Sequence, residues 1–484
     1  MSDPAELNPA EKAAPHKIAT PSTKLFFGVG SVAFGIKESA FGYFLLIYYN
    51  QVLGLDPFLT GAALAVAMAV DAMADLGVGY WSDHFRSAWG RRHPFMYAAL
   101  IPIGACFFFL WNPPEAVQAE QDALFIYLTC MAVLVRFCVT FFEVPNASMG
   151  PELSNDYDDR TRLSAFRYGF GWLGGLTIGV LSLMVLFNLD PAAQLGPIGY
   201  EYLGLVGALA MMGVGLVSAL GTHRHIPTFY QPEAHGGRTV GEAVKYVSTL
   251  FTSVSFRAVF FAALFLGAAT GLSQALMVYV NTFFWGLSTT QIGYLPLLGV
   301  IAVPTSFLLA PRLAERFGKK HAAIGLFLFA ILFLPVPYVL ALAGWFPPPD
   351  SSIYVPLIML YYLVETSAII SMQIVFGSMN SDLVEDRSVQ FEGQRDEGLI
   401  FAARNFCKKV VSGSGILLAG GVLWMANFPE NATVGGVEQD VLRNLILLFL
   451  PALMGLYLLS CWCLNSYAID RQQHQRNLES LRAN

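Results

Sequence analysis

The sequence predicts an all-α membrane protein of twelve transmembrane helices in two six-helix halves. Three observations carry this. The chain is 55% hydrophobic and 13% charged, where a soluble chain is about one-quarter charged. Its apolar residues fall into twelve runs, each near the ~20 residues a helix needs to cross a ~30 Å hydrocarbon core. Lys and Arg cluster in alternate loops, the asymmetry that sets orientation.

Taken in order, residues 1–23 are polar and rich in Ala and Pro, and read as a cytoplasmic tail with no cleaved leader. Apolar runs near 24–50, 58–82, 94–112, 122–150, 163–188 and 200–222 make a first half, 24–222. A polar cytoplasmic linker, 223–253, follows. Runs near 254–286, 291–314, 321–343, 352–378, 397–427 and 439–466 make a second half, 254–466, before a cytoplasmic tail at 467–484. Loops holding Arg86, Arg91, Arg92, Arg160, Arg162, Arg224, Arg312, Arg316, Lys319 and Lys320 share one side; those around Asp56, Glu115, Asp190, Ser288, Asp350 and Glu430 share the other. Both termini are therefore expected in the cytoplasm. The 44 Gly suit helices that approach closely. The six Cys lie mostly within apolar runs and show no metal-ligand spacing, so they read as buried thiols.

A repeat links the halves. Trp89-Gly90-Arg91-Arg92 follows the second run, and Phe317-Gly318-Lys319-Lys320 follows the eighth. Glycine and then paired cations thus occupy the same loop of each half. Two parallel six-helix repeats are the plan of the major facilitator fold.

Charges inside spans cost about 2.5–3.5 kcal/mol each on insertion scales, so each needs a partner or a task. The first half holds Lys37 and Glu38 in its first run, Asp71 and Asp75 one helical turn apart in its second, Arg136 and Glu143 in its fourth, and Arg167 in its fifth. Four carboxylates against three cations leave one negative charge, which suits a monovalent cation. The bland reading for Arg136 and Arg167 is an internal salt-bridge network. In the second half, Glu365 and Lys409 fall mid-span, and Gln274, Tyr279, Asn281 and Trp285 give the seventh run polar and aromatic groups. Sugar sites combine aromatic faces with hydroxyl-reading amides, yet Trp285 reads most simply as an interface aromatic, and Gln274 and Asn281 could equally be glue between helices.

A membrane enzyme is disfavoured: no His-Glu-x-x-His and no phosphate-cradling Gly-x-x-x-x-Gly-Lys-Ser/Thr occurs. A receptor or scaffold has little reason to keep so many intramembrane charges.

These residues resemble a known family. Asp71-Ala-Met-Ala-Asp75, running through Gly79-Tyr-Trp-Ser-Asp83 to Arg86-Ser-Ala-Trp-Gly90-Arg91-Arg92-His93-Pro94-Phe95, is similar to the signature of glycoside–pentoside–hexuronide:cation symporters of the melibiose permease type. Lys37-Glu38, Thr140-Phe-Phe-Glu143-Val-Pro145, Leu163-Ser-Ala-Phe-Arg167 and Glu397-Gly398 with Lys409 extend the likeness over nearly the whole chain. The resemblance implies cation-coupled symport of a sugar or glycoside by alternating access. Asp71, Asp75 and Thr140 would bind the coupling ion, a proton or sodium. Glu38, Glu143, Arg167, Lys409 and Lys37 would serve the sugar, and Asp83, Arg91 and Arg92 a cytoplasmic gate. Glu38 and Glu143 stand where the melibiose permease has Asp, and Ala147 where it stacks a Trp, which loosens any tie to α-galactosides. Ala74, where that permease has Asn, tilts the ion towards the proton. A non-sugar solute such as a lysolipid is the alternative within the same branch. The protein is expected in the plasma (inner) membrane as a monomer, with no organic cofactor and no nucleic-acid partner.

Overall fold

The computed structural model describes residues 18–154, 156–189, 196–229, 251–390, 411 and 413–467. Twelve membrane helices fill them. Helix α1 comprises Pro21–Val29 and Ser31–Ser39 and continues as π-helical turns at Ala40–Leu45 and Tyr48–Val52. The rest of the first half is α2 (Pro57–His84), α3 (His93–Trp111), α4 (Gln121–Ser148), α5 (Tyr157–Met184) and α6 (Pro197–His223). In the second half, α7 (Val254–Tyr279) again continues as a π-turn, Val280–Phe284. Then come α8 (Thr289–Leu297 with Gly299–Phe317), α9 (Lys319–Phe333 with Val336–Leu342), α10 (Tyr354–Gln390), α11 (Gly413–Met425) and α12 (Gln439–Asn465). The stretch from 391 to 410, where the sequence predicts the start of α11, lies outside the described residues.

Local chemistry sets the ends. Pro at the first turn of α2 and α6 is pre-set for a helix start and loses no needed N–H. The Asp56 and Asp156 carboxylates accept the Leu59 and Asp159 amides at 2.9 and 2.7 Å. Ser288 and Gln291 form a reciprocal capping box that starts α8. The repeated glycine is a backbone requirement: Gly90 has φ +74° and Gly318 φ +79°, a region that side chains with a Cβ avoid.

Equivalent helices pair within each half: α1 with α5, α2 with α4, and α3 with α6 in the first; α8 with α10, and α9 with α12 in the second. Such pairing needs small residues, since lipid offers no hydrophobic drive between helices. Gly35 is the extreme case, for a Cβ there would lie 1.8 Å from the Gly171 carbonyl oxygen. Large apolar side chains such as Ile101 and Leu332 point outward to the lipid.

Between the halves, α1 packs on α7, and α5 on the start of α8. Among the described residues, four hydrogen bonds that join them lie at the end opposite the termini. Gln51 donates to the Pro429 carbonyl at 3.0 Å and accepts from the Ala432 amide at 2.9 Å. Tyr279 donates to Asn50 at 2.7 Å, and Thr289 to Asn188 at 2.8 Å. That end is closed.

Candidate functional site

A cavity of 520 Å³ lies between the halves, within the ~300–1,000 Å³ usual for small-molecule sites. From the first half it is lined by Glu38 on α1, Glu143 on α4 and Arg167 on α5; from the second, by Gln274 on α7 and Tyr362 and Glu365 on α10. Tyr43, Trp172 and Tyr338 add aromatic faces. Tyr168 and Trp172, both on its wall near the middle of α5, are 71% and 52% exposed.

The intramembrane charges of the first half assemble into one connected group. Arg167 donates to Glu143 at 3.1 Å. Glu38 faces the cavity and lies 2.8 Å from the Lys37 ammonium and 3.5 Å from the Arg136 guanidinium. Arg136 also donates to Asp71 at 3.0 Å, while Lys37 is 3.9 Å from the same Asp71 oxygen. Arg136 stacks on the Phe41 ring at 4.6 Å, a contact that suits a weakly hydrated guanidinium. The Thr140 hydroxyl reaches Asp71 at 3.0 Å and Asp75 at 3.2 Å. Its one proton serves one carboxylate at a time. A chain of contacts therefore runs from the cavity wall at Glu38 through Arg136 to Asp71, Thr140 and Asp75.

The expected residues are thus distributed over three places. Glu38, Glu143 and Arg167 line the cavity. Lys37, Asp71 and Thr140 are buried behind it, with Asp75 half-buried beside them, and neither aspartate lines the cavity. Arg136 and Arg167 are ion-paired, as the network reading anticipated. Arg91 and Arg92 both engage Glu152, and Arg92 also the Ser148 carbonyl; these bonds tie the α2–α3 loop to the end of α4 inside one half. The Asp83 side chain and all of Lys409 lie outside the described residues. Among the described residues, no group of three or more His, Cys, Asp or Glu side chains gathers as a metal cluster. Asp71, Asp75 and Thr140 nevertheless offer hard oxygen donors, the kind a small cation takes.

Two expectations change in detail. Trp285 is buried rather than at an interface, in contact with Tyr338, Phe346 and Tyr354, and its indole N–H has no partner among the described residues. Asn281 does act as glue, donating to the Tyr362 hydroxyl at 2.9 Å. Gln274 lines the cavity, where the sequence left it between a solute-reading amide and glue, and so does Glu365, to which the sequence assigned no role. The mid-span position of Glu365 was the available signal. Trp172 carried none, because an aromatic on a membrane helix serves lipid and cavity equally well.

Twelve helices around a cavity between two halves, with paired charges in its wall, define a multi-pass membrane transporter. The chain belongs to the MFS/sugar transport protein family, which matches residues 26–471. The expected likeness to cation symporters of the glycoside type holds, and these proteins are carriers, not enzymes. Over 450 residues the chain is 22% identical to the isoprimeverose transporter of Lactiplantibacillus pentosus, covering 90% of this chain and 88% of that one. It is 24% identical to the sodium-dependent lysophosphatidylcholine symporter 1 of Gallus gallus, covering 95% and 88%. A stretch of 183 residues is 32% identical to an uncharacterized symporter of Synechocystis, covering 37% of this chain and 34% of that one. Among solved structures, a bacterial homolog of the lysosomal transporter Spinster, inward-facing and occupied, superposes with a TM-score of 0.61 at 12% identity, covering 95% of this chain and 97% of that one.

Proposed function

We propose that the protein couples the movement of a sugar or glycoside to that of a proton or sodium ion, by alternating access. The observation that carries this is the contact chain from the cavity wall to the buried aspartates. In this reading the solute sits in the cavity, with its hydroxyls bonded by Glu38, Glu143 and Arg167 and its ring faces on Tyr43 and Trp172. Lys409 belongs to the same solute site. The coupling ion occupies Asp71, Asp75 and the Thr140 hydroxyl. A cation there competes with Arg136 for Asp71, which shifts the guanidinium towards Glu38 at 3.5 Å. Ion occupancy is then felt at the solute site, and by linkage the solute strengthens ion binding equally, typically by about 1–3 kcal/mol. Asp83, Arg91 and Arg92 form the gate at the cytoplasmic side, where both termini lie, and the carrier works as a monomer in the plasma (inner) membrane.

A second reading has its own support. Trp172 and Tyr168 make part of the wall broad, exposed and aromatic, and one full-length relative is named for a lysophospholipid. The test is uptake into proteoliposomes of labelled isoprimeverose, methyl glycosides and lysophosphatidylcholine, under a sodium gradient and separately a pH gradient. Uphill accumulation of a glycoside, weakened at least tenfold in affinity by Glu143→Gln, supports the sugar reading. Accumulation of lysophosphatidylcholine alone replaces it with the second.

A further inference from the structure

The two walls of the cavity treat their carboxylates differently. In the first half, Glu38 has Lys37 at 2.8 Å and Glu143 has Arg167 at 3.1 Å. Across the cavity, Glu365 on α10 lines the wall with neither an ion pair nor a hydrogen bond among the described residues. Among the described residues, the titratable groups that face it are tyrosines: Tyr361 and Tyr362 on its own helix, Tyr338 on α9 and Tyr457 on α12. Tyr361 donates its hydroxyl proton to the Leu334 carbonyl at 3.2 Å, and the Tyr362 hydroxyl accepts from Asn281. From α7 the same wall presents neutral Ser273 and Gln274. The cavity's Arg167 stands on the opposite half, engaged with Glu143, and Glu38 and Glu143 add negative charge there.

A mid-span carboxylate that no cation pairs among the described residues carries a cost of at least the ~2.5–3.5 kcal/mol of insertion scales. Taking up one proton removes that charge and leaves a neutral group with one O–H donor, able to bond a solute oxygen. We propose that Glu365 is a proton-binding site of the second half. It takes a proton from water while the cavity is open to one side, and keeps it as a neutral carboxylic acid while the cavity is shut. It gives the proton up to water on the other side. This rests on the cavity being a carrier's, and adds a proton acceptor facing away from Asp71 and Asp75. With sodium at those aspartates, the carrier would move both ions; with a proton there, two protons.

Infrared difference spectroscopy of the purified protein in liposomes tests this with the proton itself as probe. Raising the pH from about 5 to about 9, a range that covers buried carboxyls, should remove a protonated-carboxyl C=O band from the wild type. Glu365→Gln, nearly isosteric, should lack that band and take up about one proton fewer per chain on acidification. Glu365→Asp should keep the band at a shifted frequency. A band of full size and unchanged frequency in both variants overturns the proposal, as does a wild type without one. Gel filtration checks that each variant is folded, and Glu365→Asp serves alone where Glu365→Gln does not fold. Failure of the wild type to accumulate isoprimeverose or lysophosphatidylcholine uphill would sink the carrier reading and leave the infrared result unaffected.

Discussion

Arg136 holds carboxylates from two other helices, so its removal has a calculable consequence. Its side chain is 2% exposed and that of Asp71 0%, with 3.0 Å between them. At an effective dielectric of ~20, unit charges about 4 Å apart attract by ~4 kcal/mol. Desolvation offsets much of that, so the intact pair adds little net stability. Removing one partner is different: the survivor stays charged in a poor solvent, which costs about 3–5 kcal/mol. Lys37, 3.9 Å from the same Asp71 oxygen, keeps part of the compensation, which puts Arg136→Gln near the lower limit, about 3 kcal/mol. Adding Asp71→Asn removes the stranded charge and should recover about 2 kcal/mol of this. The assay is a double-mutant cycle on denaturant unfolding in one detergent, at one pH and salt concentration. If Arg136→Gln unfolds at the wild-type midpoint, or Asp71→Asn fails to rescue it, the buried network is not what holds these helices in register.

Three further outcomes are expected. Asp75→Cys should abolish uphill accumulation while preserving solute exchange down a gradient, as read by paired uphill-uptake and counterflow assays; full uphill transport would remove Asp75 from the ion site. Gly35→Leu should leave no folded protein by size-exclusion chromatography, because its side chain meets the Gly171 carbonyl, whereas Gly77→Ala, with open space around it, should match wild type. At the membrane surface, burial raises the pKa of the Asp159 carboxyl, but the Lys24 ammonium and the Ala19 amide, 2.8 Å away, more than offset this and hold it below the ordinary range. A folded-state pKa below the unfolded one (about 3.9) adds stability above that pH and loses it as pH falls through the folded value. Asp159→Asn should therefore lower the unfolding midpoint at pH 7, and the deficit should shrink as the pH is taken below about 4.

The spans were legible because each is a long apolar run, and the loop repeat because Gly90 and Gly318 answer a backbone constraint that sequence records directly. The charged residues were visible for the same reason: few things explain Asp71 or Glu38 in lipid. Their pairing was not legible. Arg136 meets Glu38 across 98 positions of chain, and two partners at comparable depth look alike until helices are placed. The arrangement put Arg136 deep and Arg167 at the cavity, although both read as the same kind of residue. The π-turns that end α1 and α7 escaped notice because they add a residue to a turn without altering hydropathy. Glu365 was seen as a charge, but its facing wall depends on how α10 rotates against α8 and α9, which periodicity in a uniformly apolar helix does not encode.

The closed end has a property of its own. Gln51, Asn50, Tyr279, Thr289 and Asn188 fasten the halves with amides and hydroxyls alone. Each such bond is worth only about 0.5–1.5 kcal/mol net, because water replaces it on parting. A clasp of neutral groups yields to thermal motion a few bonds at a time, with no ions to be stripped of their hydration when it shuts again. The charges that do face each other across this end, Asp56 and Glu430, are of like sign and add nothing to the hold.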